Sequence, residues 1–221
     1  MSEISNNIDK LRAELPDWVR LVAVSKNHPA ESVREAYRAG QRIFGENRVQ
    51  ELLAKRQLLP DDIEWHLIGH LQGNKVRSIV PYVSMIHSID SVRLLLEVSK
   101  EAARIGKSID CLLQVYIASE ETKFGFDPDE VRSLLADTSL RQLPGICYRG
   151  LMGMASFTDD SSQVASEFEI IHKLFIGIKD SGYEDLNSFN ELSIGMSGDY
   201  AIAVEHGSTL VRIGTAIFGS R

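Results

Sequence analysis

Eight short, largely apolar runs, each separated from the next by a stretch of helical character, constrain this chain more than any other feature of it. The runs are Val19–Ser25, Arg42–Gly45, Glu64–Gly69, Met85–Ile89, Asp110–Ile117, Tyr148–Met154, Glu191–Met196 and Thr209–Gly214. The first is apolar on both faces, the pattern of a strand buried in a parallel sheet. Between the runs, Ala30–Ala39, Glu46–Gln57, Asn74–Ile79, Ser91–Ile105, Pro128–Ala136, Ser162–Asp180 and Tyr200–Glu205 read as helices. Gly40 and Gly106 close two of them. A lead-in helix, Ile4–Leu15, stops at Pro16. Strand–helix units every ~20–35 residues, with no two strands in succession, predict an α/β fold. The expected architecture is one (β/α)8 barrel over residues 1–221, with an N-terminal lead-in helix. An open doubly wound sheet is the alternative, but no G-x-G-x-x-G follows the first run and no G-x-x-x-x-G-K-[ST] occurs.

A chain of 221 residues, 43% of them hydrophobic, can bury a core of barrel size. The formal net charge of -7, from 24 basic and 31 acidic side chains, argues against a general nucleic-acid or anionic-membrane binder and leaves room for a local basic pocket. Cys111 and Cys147 are too few for a disulfide framework and lie beside apolar runs, so both are expected as reduced core residues. The polar segment Met1–Asp17 lacks the apolar stretch of a signal peptide, and no window approaches ~18 uninterrupted apolar residues. A cytoplasmic location is therefore the expectation. Six histidines and two cysteines show no metal-ligand spacing, and no metal is expected.

In a barrel of this kind, chemistry collects at the C-terminal ends of the strands. Here those ends carry Lys26, Asn47, His70, Ser88, Ser156, Ser197 and the Gly214-Thr215 turn. An ammonium ending a buried strand needs a partner charge, a covalent bond to a carbonyl compound, or an escape to solvent. A strand-end lysine is often only a snorkelling surface residue. The last two units end in small, hydroxylated turns, Met196-Ser197-Gly198-Asp199 and Gly214-Thr215. Such turns can present N–H and hydroxyl donors to a phosphate, and they can equally be ordinary helix starts. Lysine and turns together point to a phosphorylated carbonyl compound held as a Schiff base.

Six blocks then stand in order: Val22-Ala23-Val24-Ser25-Lys26, Phe44-Gly45-Glu46-Asn47-Arg48-Val49-Gln50-Glu51, Trp65-His66-Leu67-Ile68-Gly69-His70-Leu71-Gln72, Lys123-Phe124-Gly125, Leu192-Ser193-Ile194-Gly195-Met196-Ser197, and Gly207 through Thr215. They closely resemble the pyridoxal-phosphate homeostasis protein family, single-domain relatives of the N-terminal barrel of alanine racemase. The resemblance runs from about Leu21 to Gly219, and Gly73, Gly198 and Tyr116 depart from the family pattern at the rim. It implies pyridoxal 5'-phosphate as cofactor, with Lys26 as the Schiff-base lysine. It also implies Ser197, Gly214 and Thr215 around the phosphate and Arg212 facing the pyridine nitrogen. Asn47 and His66 would lie near the cofactor, touching the ring or one layer behind it, although His66 reads equally as a satisfied core histidine. An arginine opposite the ring nitrogen keeps it unprotonated and makes the ring a weaker electron sink. Glu46 reads as a helix-start carboxylate, and Met152, Met154 and Met196 as core packing.

The racemases draw a second acid/base, a tyrosine, from an extra β-domain of a neighbouring subunit, and these 221 residues include no such domain. The resemblance therefore implies carriage and buffering of pyridoxal phosphate in vitamin B6 balance, with no substantial turnover. A monomer making transient contact with pyridoxal-phosphate-requiring apo-enzymes is expected, with no nucleic acid or membrane as partner. A weak pyridoxal-phosphate-dependent amino-acid racemase, with His66 or Tyr200 as base, is the second reading. A Schiff-base aldolase barrel acting on a sugar phosphate is the third.

Overall fold

The structure, a computed structural model, describes residues 2–118 and 124–219. Helix α1 (Glu3–Glu14) leads into β1 (Arg20–Val24), α2 (Ala30–Arg38), β2 (Ile43–Glu46), α3 (Val49–Arg56) and β3 (Glu64–Leu67). A 3-10 turn at Gly73–Lys75 runs into α4 (Val76–Ile79), then β4 (Met85–Ile89), α5 (Val92–Arg104) and β5 (Ile109–Tyr116). Two helices follow, α6 (Pro128–Ala136) and α7 (Thr138–Arg141), before β6 (Ile146–Met154) and α8 (Ser161–Lys179). The chain closes with a 3-10 turn at Glu184–Leu186, β7 (Glu191–Ser193), α9 (Tyr200–Glu205), β8 (Leu210–Ile213) and α10 (Thr215–Phe218). The strands form a closed barrel in sequence order, every neighbouring pair parallel, and β8 pairs back onto β1 from Arg20–Leu210 to Ala23–Ile213. The expected (β/α)8 barrel and lead-in helix are both present.

Local chemistry sets the helix starts. Asp127 and Glu130 form a reciprocal capping box with Pro128 at the first turn of α6, while Ser91 and Asp160 cap α5 and α8. The two-residue period of the strands then sorts the side chains. Val22, Met85, Leu112, Met152 and Leu210 fill the lower barrel interior against Ile43. Leu21, Ala23, Phe44, Trp65 and Leu67 belong to the larger core under the helices.

One irregularity is built in between β5 and β6. Cys111 pairs with Tyr148 and Leu112 with Gly150, which leaves Arg149 as an extra residue. Gly150 absorbs the kink with φ of 153°, and a Cβ there would overlap the Glu191 carbonyl oxygen. Strand β7 is shorter than its apolar run because Gly195 turns away with φ of 93°, closely packed on Ala203. Cys111 is buried as expected, whereas Cys147 is only half-buried, beside the Ser188 hydroxyl at 3.3 Å. Among the described residues, no helix is long and apolar enough to cross a membrane.

Candidate functional site

The alternation along β1 sends Val22 into the barrel, Val24 into a cavity above it, and Lys26, two residues on, to that cavity's wall. Strand β8 repeats the pattern with Leu210, Arg212 and Gly214. The cavity opens at the C-terminal ends of the strands and encloses about 660 Å³, within the range of small-molecule sites. Lys26, Asn47, Ser197, Arg212, Gly214 and Thr215 all line it.

Arg212 is its buried cation, 4% exposed. Nη1 donates to the Ser193 carbonyl and hydroxyl oxygens at 2.7 Å each, and Nη2 to the Gly153 carbonyl at 2.9 Å. Those bonds use three of five guanidinium donors, and Arg212 also lines the cavity. Burial pulls its pKa down to about 10, opposed by Asp199, so it stays charged at neutral pH.

The turns after β7 and β8 meet at the same cavity. The Ala216 N–H lies 3.5 Å from the Ser197 hydroxyl and links the two. A Cβ at Gly198 would meet no atom of the described residues within 4 Å, whereas one at Gly214 would lie 3.1 Å from the Val24 carbonyl oxygen. Asn47 is fixed from behind by Gly69, where a Cβ would come within 2.5 Å of the Asn47 carbonyl oxygen. The Gly69 carbonyl in turn accepts from the Ser88 hydroxyl at 2.6 Å. Ser88 thus braces the site from below; it is fully buried and does not line the cavity.

The whole chain, residues 1–221, matches the family described as alanine racemase, N-terminal domain. The pyridoxal phosphate homeostasis protein of Aquifex aeolicus is 39% identical over 204 residues, covering 91% of this chain and 87% of that one. The chain belongs to the pyridoxal phosphate homeostasis protein family. PipY of Synechococcus elongatus PCC7942, solved without PLP, is 41% identical with a TM-score of 0.92 over 98% of this chain and 100% of that one. The same protein solved with PLP bound is 40% identical with a TM-score of 0.88, at the same coverage.

Within this family barrel, His66 lies beneath the cavity rather than in its wall. It is 1% exposed, one alternation below the cavity-lining Ile68, and does not line the cavity itself. Its Nδ1 lies 2.9 Å from His87 Nε2, and His87 Nδ1 lies 3.0 Å from the Ser193 hydroxyl that accepts from Arg212. Because the Ser193 hydroxyl proton finds its acceptor at His87 Nδ1, the network assigns the Nε2–H tautomer to both rings. The satisfied-core reading of His66 is the one the packing favours. Its role at the cofactor would be indirect, through Ser193 and Arg212.

Burial holds the His66 pKa down to about 3 and that of His87 well below its usual value. Both rings are therefore neutral in the fold and become protonated when the chain unfolds in acid. The folded pKa lies below the unfolded one, so this stability is present above pH 6.5 and is lost as pH falls toward 3. The expected slope is about 1.4 kcal/mol per pH unit for His66 alone. Urea midpoints at pH 7 and pH 5 check this. The acid-induced loss should be about 2 kcal/mol smaller in His66→Phe than in the parent, and equal losses would contradict the assignment.

Three residues differ from expectation. Met154 and Met196 are 43% and 36% exposed and line the cavity, whereas Met152 is core as expected. Glu46 is no exposed helix-start carboxylate: it ends β2, is fully buried and pairs with Lys55 at 2.6 Å. Residues that the sequence does not single out complete the mouth, among them Gln114, Phe157, Asp159 and Asp90, the last paired with His70 Nδ1 at 2.8 Å. An apolar side chain just past a strand end is the available signal for Phe157. Lys123, of the Lys123-Phe124-Gly125 block, lies outside the described residues.

Proposed function

We propose that this chain binds pyridoxal 5'-phosphate as a Schiff base on Lys26 and holds it for vitamin B6 homeostasis, without substantial turnover. The observation that carries this reading is one cavity lined by an amine, a buried guanidinium, and two small hydroxylated turns. Those groups answer the three demands of the molecule: an amine for its aldehyde, a donor for its ring nitrogen, and N–H and O–H donors for its phosphate. The relative solved with PLP bound, at 40% identity, supports the same choice.

When bound, the cofactor supplies an electrophilic aldehyde carbon conjugated to an electron-withdrawing ring. Lys26 would hold the aldehyde end, and Ser197, Gly214 and Thr215 the phosphate. Asn47 would border the ring. Arg212 would donate a hydrogen bond to the ring nitrogen without giving up its proton, which keeps electron withdrawal weak and disfavours carbanion chemistry. Loaded protein is expected to reactivate a pyridoxal-phosphate-requiring apo-enzyme through transient contact. Enantiopure alanine incubated with it should keep its configuration over many equivalents. Saturable racemisation would overturn the carrier reading.

A slow enzyme is the second reading. Its expected bases do not favour it, since His66 lies below the cavity and the Tyr200 hydroxyl donates to Glu14 at 2.6 Å, outside the lining. The His70–Asp90 pair at the mouth is the arrangement that does.

A further inference from the structure

Lys55 is 6% exposed, and its ammonium donates to three acceptors: the Ser25 carbonyl at 2.6 Å, Glu46 Oε1 at 2.6 Å and Glu51 Oε1 at 2.8 Å. Glu46 Oε1 also accepts from the Ser25 hydroxyl at 2.6 Å. Glu51 Oε1 also accepts from the Asn27 N–H at 2.5 Å. Three of these bonds therefore end on Ser25 and Asn27, the residues on either side of Lys26. Asn27 itself has φ of 63°, the one non-glycine residue in the left-handed region among those described. Such a conformation persists where its surroundings hold it.

A buried ion pair is a poor way to glue a helix to a barrel. Taking both charges out of water costs more than a well-packed apolar pair would, and here Glu46 Oε2 is buried with no hydrogen-bond partner among the described residues. Its carboxyl pKa is raised by that burial despite the bonds from Lys55 and Ser25. What an apolar pair could not do is hold a carbonyl, a hydroxyl and an N–H of the β1 terminus in one geometry. We infer that Lys55, with Glu46 and Glu51, is a positioning device that fixes the backbone on both sides of Lys26 and so aims its amine into the cavity. The inference rests on the reading of Lys26 as the attachment residue.

The test uses the full chain and two variants, Glu51→Ala and Lys55→Met. Glu51→Ala removes the Asn27 acceptor and leaves the buried Lys55–Glu46 pair intact, so it keeps the test open if Lys55→Met fails to fold. Affinity is measured for pyridoxal 5'-phosphate and for pyridoxamine 5'-phosphate, which has the same ring and phosphate but no aldehyde. Glu51→Ala should lose about tenfold in affinity for the aldehyde and less than about twofold for the amine, the scale of one charge-assisted hydrogen bond. Equal losses for both ligands, or no loss for either, would overturn the inference. Hydrogen exchange at the Asn27 amide gives a reading that needs no cofactor. It should accelerate about tenfold or more in Glu51→Ala while the barrel strands keep their protection, and unchanged exchange would also sink the positioning role. A parent protein that forms no adduct on Lys26 would instead refute the functional reading, leaving the exchange measurement to decide the clamp.

Discussion

Lys26→Met is expected to abolish the visible band of protein mixed with pyridoxal phosphate and to weaken binding on the order of 100-fold, about 2.7 kcal/mol. The substitution keeps an unbranched stem in the cavity wall and removes only the amine. Lys26 would hold the aldehyde end at high effective concentration, so losing its amine would remove much of the total affinity. What survives in the variant would be the part contributed by Arg212 and the two turns, which also line the cavity. Equilibrium dialysis and an absorption scan measure both effects. A variant that keeps the band would move the attachment point elsewhere.

Gly150→Ala is expected to cost about 4 kcal/mol or more, a large part of the stability of an ordinary domain. Two penalties combine. The residue sits at φ of 153°, where an L side chain is strained, and the new methyl would overlap the Glu191 carbonyl oxygen. That oxygen belongs to the neighbouring strand, so relief requires β6 and β7 to separate at the kink. Gly177 offers the contrast. It is exposed on α8, where an added Cβ would meet none of the described residues within 4 Å, and Gly177→Ala should stabilise by about 0.4–1 kcal/mol. Urea unfolding midpoints distinguish the two, and similar midpoints for both variants would contradict the packing described for the β5–β6 kink.

Much of this barrel is legible in the chain because each buried run is flanked by residues that end it. Helix α9 falls on its expected residues, Tyr200–Glu205, and α6 on Pro128–Ala136, where proline and an aspartate cap mark the start. The pieces that escape notice are short: α7 and α10, of four residues each, have too few turns to show a periodicity. Period-two alternation places Lys26, Arg212 and His66 on inward faces, yet it carries no information about depth along the barrel axis. Depth separates His66, packed beneath Ile68, from Arg212, which reaches the cavity. Met154 and Met196 differ from the core expectation for the same reason, since a methionine at or just past a strand end lies at the mouth. Its place at the head of the expected helix Glu46–Gln57 puts Glu46 at a helix start, whereas the alternation Phe44–Glu46 puts it on the outer face of β2. Its partner, Lys55, lies on a different element, and the four-residue spacing from Glu51 is the one local hint of the cluster.

The central claim is that the amine of Lys26 carries the cofactor. Borohydride reduction of the parent protein loaded with pyridoxal 5'-phosphate, followed by tryptic mass mapping, tests it directly. Trypsin does not cleave after a modified lysine, so the expected product is a pyridoxyl-phosphate adduct on the uncleaved peptide spanning residues 21–34. Loss of the visible band on reduction should accompany it. A colourless protein with no adduct, or an adduct confined to another lysine, would contradict the assignment.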